Sequence, residues 1–235
     1  MTRIRQAVAR FWTTDRGLSV FLVLLLVVVF VLPPLASPGV VGRALTDAVF
    51  AVLLIAGTVA VAERRWVLWI VAVATVAALL VHVASWLPVT GELLAWRVGS
   101  ALLAQALMTA VILVQVFRPG SVTLHRILGA VAAYLLLGLV WAQAYQLVSL
   151  AHPGAFTGAV DAGADSAWVY FSFVTLTTTG YGDTAPVHAL ARSLANLEAL
   201  IGQLYPAILL ARLVSLELTS GAKPPRRRVR RTDKR

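Results

Sequence analysis

Cysteine is absent from all 235 residues, which excludes disulfides and thiolate metal sites and leaves the redox compartment open. Charge is scarce too: 13% of the residues are charged, while 60% are hydrophobic. The polar loop at Thr175–Asp183 has no second copy, whereas secondary transporters tend to show paired broken helices in repeated halves. Nor is there a ladder of arginines at every third position. The fourth apolar stretch offers Arg97 at its edge and then Gln105 and Gln115. Such a helix has little charge for a transmembrane voltage to move.

What remains is a series of apolar runs, each near the ~20 residues needed to cross a bilayer. The reading is an all-α integral membrane protein with six transmembrane helices. Spans are expected at Leu18–Leu32, Ala44–Ala62, Trp66–Leu87, Ala95–Phe117, Ile127–Leu150 and Leu190–Leu218. The first should stop at Pro33 and Pro34. Its short apolar run also fits a signal peptide, but the long basic segment before it and the even span count favour a retained helix. Trp66, Trp69, Trp86 and Trp96 fall near span ends, as an aromatic belt requires.

A net charge of +10 would suggest nucleic acid in a soluble protein. Here its placement speaks for topology instead. With both termini cytoplasmic, 17 of the 20 Lys and Arg residues lie inside, and only Arg43, Arg97 and Arg192 lie outside. The basic tail is suited to anionic lipid, at about 1 kcal/mol per residue near the surface, or serves only as a topology anchor. It is too short for a nucleotide-binding domain, so no cytoplasmic ligand sensor is expected.

Between the last two spans lies Thr175–Asp183, T-L-T-T-T-G-Y-G-D, polar and turn-prone within a very apolar chain. Non-helical backbone at membrane depth survives only where protein buries it or where it lines a watery path. Gly180 and Gly182 lack a Cβ and can take φ > 0, which lets successive carbonyls point to one side. Thr178 adds a hydroxyl at the inner end of the row. Ahead of this loop, Ser166–Thr177 is apolar and aromatic, about 18 Å long if helical. Asp165 or Ser166 can cap its start. Its negative C-terminal end would face the membrane centre and favour a cation there.

At Thr178, Thr179, Gly180, Tyr181 and Gly182 the chain resembles the pore-loop potassium channels, with Thr179 standing where valine is usual. The resemblance implies a re-entrant pore helix and a selectivity filter. It further implies K+ held by carbonyls of Thr178, Thr179, Gly180 and Tyr181 as the permeant ion, with no cofactor and no enzymatic activity. One filter strand per chain cannot close a ring, so a four-fold homotetramer in the cell membrane is expected. Tyr170 and Phe171 stand where that family buttresses its filter tyrosine, although Phe171 suits ordinary core packing equally. Asp183 either joins Asp161 and Asp165 in an acidic outer mouth or hydrogen-bonds Tyr170. The motif covers less than half of the chain. By count alone the first four spans resemble a voltage sensor, one without its arginines.

The expected organisation is a basic segment at 1–17, four helices over 18–117, a pore domain over 124–218 and a basic tail at 219–235. Glu198, the one carboxylate well inside the last span, lies about 140° round the helix from Gln203. It either props the pore helix as a neutral or hydrogen-bonded group, through Thr175 or Thr177, or contacts ions directly. His82 is read as a packed, hydrogen-bonded residue, with a pH-sensing role as the alternative. Gly202 and Pro206 place two helix defects on one turn and suggest a hinge, with Leu210 and Val214 as the constriction below it. The function expected is passive potassium conduction with weak voltage dependence. Its rivals are an ion-coupled transporter and a non-conducting scaffold.

Overall fold

A computed structural model describes residues 15–35, 40–60, 65–86, 92–118, 123–158 and 165–221. The two basic terminal segments lie almost wholly outside these, as does Asp161. Helix α1 (Asp15–Leu26) continues through a π-helical turn (Val27–Val31) and a final α-helical turn (Leu32–Leu35). It is followed by α2 (Val40–Ala60), α3 (Arg65–Ala84), α4 (Glu92–Val116) and α5 (Leu124–Ala151). Strand β1 (Phe156–Gly158), helix α6 (Asp165–Leu176), strand β2 (Thr184–Pro186) and helix α7 (Ala189–Gly221) complete the described fold.

Among the described residues, four helices are long and apolar enough to cross a membrane, at Trp66–Ala84, Leu93–Val116, Arg126–Ala151 and Ala189–Ser215. Leu18–Val31 and Ala44–Val59 are shorter apolar helices. The uncovered faces are apolar as well: Trp69, Val73, Leu80 and Val83 all point away from the rest of α3's protein contacts. That pattern suits hydrocarbon rather than water outside the molecule.

Two expectations need correction. The first helix does not stop at Pro33 and Pro34 but runs through both. A proline ring crowds the carbonyl four residues back, which for Pro33 belongs to Val29. Val29 sits in the π-helical turn, where the ladder has slipped to a wider spacing and the Leu32 N–H donates to the Val27 carbonyl. The slip precedes the proline and makes room for it. Secondly, the fold is mostly but not wholly helical. Phe156↔Pro186, Thr157↔Ala185 and Gly158↔Thr184 form an antiparallel pair within a stretch read from sequence only as polar connection. Three-residue strands carry too few alternations to register as a period.

The core runs along α5, which packs against α1, α4, α6 and α7. Phe21, Leu25, Leu53, Leu54, Met108 and Leu136 are fully buried there. Close approach is set by glycine: a Cβ on Gly57 would lie 2.0 Å from the Met108 sulfur, and one on Gly138 would lie 2.6 Å from the Phe173 ring. Polar pairs are internal. Thr58 donates to the Leu54 carbonyl at 2.7 Å and meets the Thr75 hydroxyl at 2.8 Å, while Gln143 donates to Gln105 at 2.8 Å. At the far end of α4, Arg212 of α7 donates to the Val116 carbonyl at 3.1 Å and to the Arg118 carbonyl, with its guanidinium 5.4 Å from the Phe117 ring centre. A cation there complements the negative end of α4.

Truncating Phe21 tests this core. Lipid tails are as apolar as the interior, so the transfer term is small and the lost packing remains. Phe21→Ala should cost about 1–3 kcal/mol on that reduced basis. The measurement is the melting temperature in detergent, which should fall by several degrees.

Candidate functional site

The segment after α6 is held by its own N–H groups. Thr177 donates to the Phe173 carbonyl at 3.0 Å and Thr178 to Thr175 at 2.9 Å, while Thr179 and Gly180 share the Val174 carbonyl at 2.9 and 3.3 Å. The orphan carbonyls of Phe173, Val174 and Thr175 at the C-terminus of α6 are thereby satisfied, and the N–H groups of 177–180 are turned toward α6. Both expected glycine dihedrals are left-handed, Gly180 at φ +61° and Gly182 at +78°. A Cβ would meet no atom within 4 Å at either one, so backbone conformation rather than crowding calls for glycine there.

Sequence reasoning missed the third member of this series. Thr178 has φ +58°, the only described non-glycine residue with positive φ. For a β-branched residue this is a strained conformation, costing about 1–3 kcal/mol. Left-handed residues at 178, 180 and 182 alternate with residues 179 and 181, whose φ is not positive. Such alternation turns successive carbonyls to one side, and the two-residue spacing of the glycines was the available signal. Gln203 of α7 helps to hold Thr178, its Nε2 donating to the threonine hydroxyl at 2.7 Å.

The threonine at 179 acquires a role from proton accounting. The Thr177 hydroxyl donates to the Phe173 carbonyl at 2.7 Å, so its oxygen accepts from Thr179 across 2.8 Å. The Thr179 side chain therefore reaches back to the last turn of α6, a bond that valine would lack.

Tyr170 stacks on Tyr181 with planes 2° apart and centroids 6.4 Å apart. Its hydroxyl donates to the Asp183 carboxylate at 2.8 Å. That bond holds the Tyr170 hydroxyl above the usual phenol range, so the proton stays on the tyrosine. Asp183 also accepts from the Thr184 N–H at 3.0 Å. Phe171 takes the core alternative: it is buried, edge-on to Tyr145 at 4.9 Å and to Phe156 at 5.5 Å. Asp165 opens α6 but does not stand free at the mouth. It accepts from Arg97 at 3.0 and 3.2 Å and from Gln146 at 2.8 Å. The cation that the sequence placed at an outer edge thus neutralises it.

Arg97 is itself buried and lies 3.7 Å from Asp47, which bonds His82 and Trp86 at 2.8 Å each. His82 is packed as well, stacked on Phe50 at 5.0 Å.

Glu198 is fully buried on α7. Its expected partners are replaced. Thr175 and Thr177 turn back to the Phe171 and Phe173 carbonyls of their own helix. The carboxyl group instead meets Ser172 of α6 at 2.6 Å and Tyr145 of α5 at 2.5 Å. Neither had been singled out, because both sit in helices whose apolar neighbours mask them. One turn on, Gly202 is buried, and a Cβ there would lie 1.9 Å from the Leu176 carbonyl. Glycine at 202 is therefore a packing requirement, whatever else it does. Helix α7 is continuous through Pro206, while Tyr205 donates to the Ala130 carbonyl at 2.8 Å. Leu210 and Val214 are uncovered.

Two membrane-length helices with a short helix and a hydrogen-bonded non-helical return between them define a pore-type unit. Residues 131–217 match the family model described as Ion channel. The matched segment is similar to ion-channel domains, which supports a membrane-embedded, pore-forming channel rather than an enzyme. No match was found among curated proteins or solved structures.

Arg97 and Asp165 tie the first four helices to the start of α6. Breaking a buried pair costs about 3–5 kcal/mol, and the 40% exposure of the Asp165 side chain puts this one at or below the lower end. Arg97→Gln should lower the melting temperature measurably. It should also leave the slope of open probability against voltage almost unchanged, since a single charge in the chain is removed. Bilayer recording across a voltage series checks the second outcome.

Proposed function

We propose that this protein is a potassium-selective channel, a homotetramer whose four Thr178–Gly182 segments surround one axis. The observation that carries the reading is the alternation of left-handed backbone at 178, 180 and 182 within T-T-T-G-Y-G-D. Carbonyl rings that replace the hydration shell of K+ are the known basis of selectivity in channels with such loops. In the assembly, carbonyls of Thr178, Thr179, Gly180 and Tyr181 coordinate the ion, with Gly182 at the outer end. Gln203 and the Thr178 hydroxyl face the inner approach, and Asp183 keeps negative charge at the outer one.

Several features support the tetramer. Tyr181 is 70% exposed in a single chain and its stacking partner Tyr170 is 43% exposed, and subunits around an axis would cover both. Leu197, Leu200, Leu204, Ile208, Leu210 and Val214 form an uncovered apolar surface on α7. Six crossings per subunit fit the lengths. From Asp15 to Leu35 and from Val40 to Ala60 the chain is helical for about 30 Å each, the hydrocarbon thickness. The charge distribution supports cytoplasmic termini in the cell membrane, with anionic lipid at the basic tail. Below Pro206, Leu210 and Val214 are the proposed constriction, and Gly202 with Pro206 the flexible turn.

Reconstituted in a planar bilayer, the protein should show a reversal potential that follows the potassium gradient with sodium in excess. Equal sodium and potassium permeability would overturn the assignment. Gly182→Ala should abolish conduction, because a left-handed alanine costs about 1–2 kcal/mol in each subunit.

The gate is tested at Pro206. Alanine there returns an N–H to the Gly202 carbonyl and relieves its crowding, so Pro206→Ala should lower single-channel open probability while selectivity is kept. Unchanged open probability would remove the hinge. Gly202→Ala is a poor substitute, since its Cβ strikes the Leu176 carbonyl.

A further inference from the structure

The buried knot around Glu198 holds more hydrogen bonds than its hydroxyls have protons. Tyr145 Oη lies 2.5 Å from Glu198 Oε2, Ser172 Oγ lies 2.6 Å from Glu198 Oε1, and Ser172 Oγ lies 2.7 Å from the Gly138 carbonyl oxygen. Three two-centre hydrogen bonds between oxygens at these short distances need three hydrogens. Tyr145 supplies one and Ser172 supplies one, while the Gly138 carbonyl supplies none. With an ionised Glu198, one contact would set lone pairs against each other at hydrogen-bond distance. The third hydrogen belongs on the carboxyl group.

The assignment is then unique. A carbonyl accepts only, so Ser172 donates to Gly138. Glu198 Oε1–H donates to Ser172 Oγ, and Oε2 accepts from Tyr145. Burial agrees: Glu198 has no solvent exposure, and no ion pair among the described residues involves it. An ionised carboxylate sealed away without a cation is costly.

We propose that Glu198 is held as a neutral carboxylic acid and, by the hydrogen bond it donates to Ser172, fixes α6 against α5 and α7. It is a positioning residue. Ser172 lies one turn before Leu176, where the Thr177–Asp183 return begins, so the knot sets the height and rotation of the element that carries the return. Its effect on conduction rests on the reading of Thr178–Gly182 as a potassium filter; the proton itself does not.

Infrared spectroscopy of the full chain in liposomes at neutral pH tests the proton directly. Unmodified protein labelled with 13C-carboxyl glutamate should show an isotope-shifted C=O stretch of a protonated carboxylic acid, and Glu198→Gln should remove that band. Absence of the band from the labelled, unmodified protein would overturn the proposal without recourse to any variant. A rescue series reads the positioning role. Glu198→Gln keeps an N–H donor toward Ser172 and a carbonyl acceptor toward Tyr145, so it should retain the melting temperature and the potassium current. Glu198→Ala should lose both. Loss in Glu198→Gln equal to that in Glu198→Ala would overturn the donor role. A labelled acid band in a protein that fails to select potassium would sustain the Glu198 proposal and remove the filter reading instead.

Discussion

Backbone that leaves a helix inside an apolar layer must find partners for its donors, and this constraint governs the region from α6 to α7. The last turn of α6 offers carbonyls with no intrahelical partner, and the N–H groups of residues 177–180 arrive there. Once the donors are spent inward, left-handed backbone recurs at 178, 180 and 182 along the return. Everything around this turn prevents it from relaxing. Gln203 holds the strained Thr178, Thr177 and Thr179 tie the return to α6, and the Tyr170–Asp183 bond fixes its outer end. The strain at Thr178 is tolerated because neighbours on two helices over-determine it.

Much of this was legible because the chemistry is local. Gly180 and Gly182 announce left-handed backbone in a segment where few other residues permit it. Apolar runs of membrane length announce α3, α4, α5 and α7. The parts that sequence did not disclose are contacts between elements far apart in the chain. Arg97 and Asp165 are 68 positions apart, Tyr145 and Glu198 are 53 apart, and nothing in either neighbourhood names its partner. Gly202 illustrates a different difficulty. A glycine four residues before a proline reads as flexibility, whereas here its missing side chain admits the Leu176 carbonyl. Both properties follow from the absent Cβ, and only the neighbouring helix reveals that contact.

The first four helices lack a movable ladder of charge, yet they are not separate from the channel segment. Arg97 bonds the first residue of α6, and the lower part of α7 grips the end of α4 through Arg212. These two attachments sit at opposite ends of α4, one beside the start of the short helix and one below Pro206. A displacement of α4 would therefore reach the return and the long helix through different residues.

The small strand pair has a mechanical consequence. By joining Phe156–Gly158 to Thr184–Pro186, it fastens the chain just before α6 to the chain just after the return. Both ends of the intervening loop are thus pinned at one place. When α5 and α7 shift relative to each other, the two ends travel together, and the loop is carried along rather than stretched. Carbonyl spacing within Thr178–Gly182 is insulated in this way from the tension that movement of the long helices would otherwise deliver.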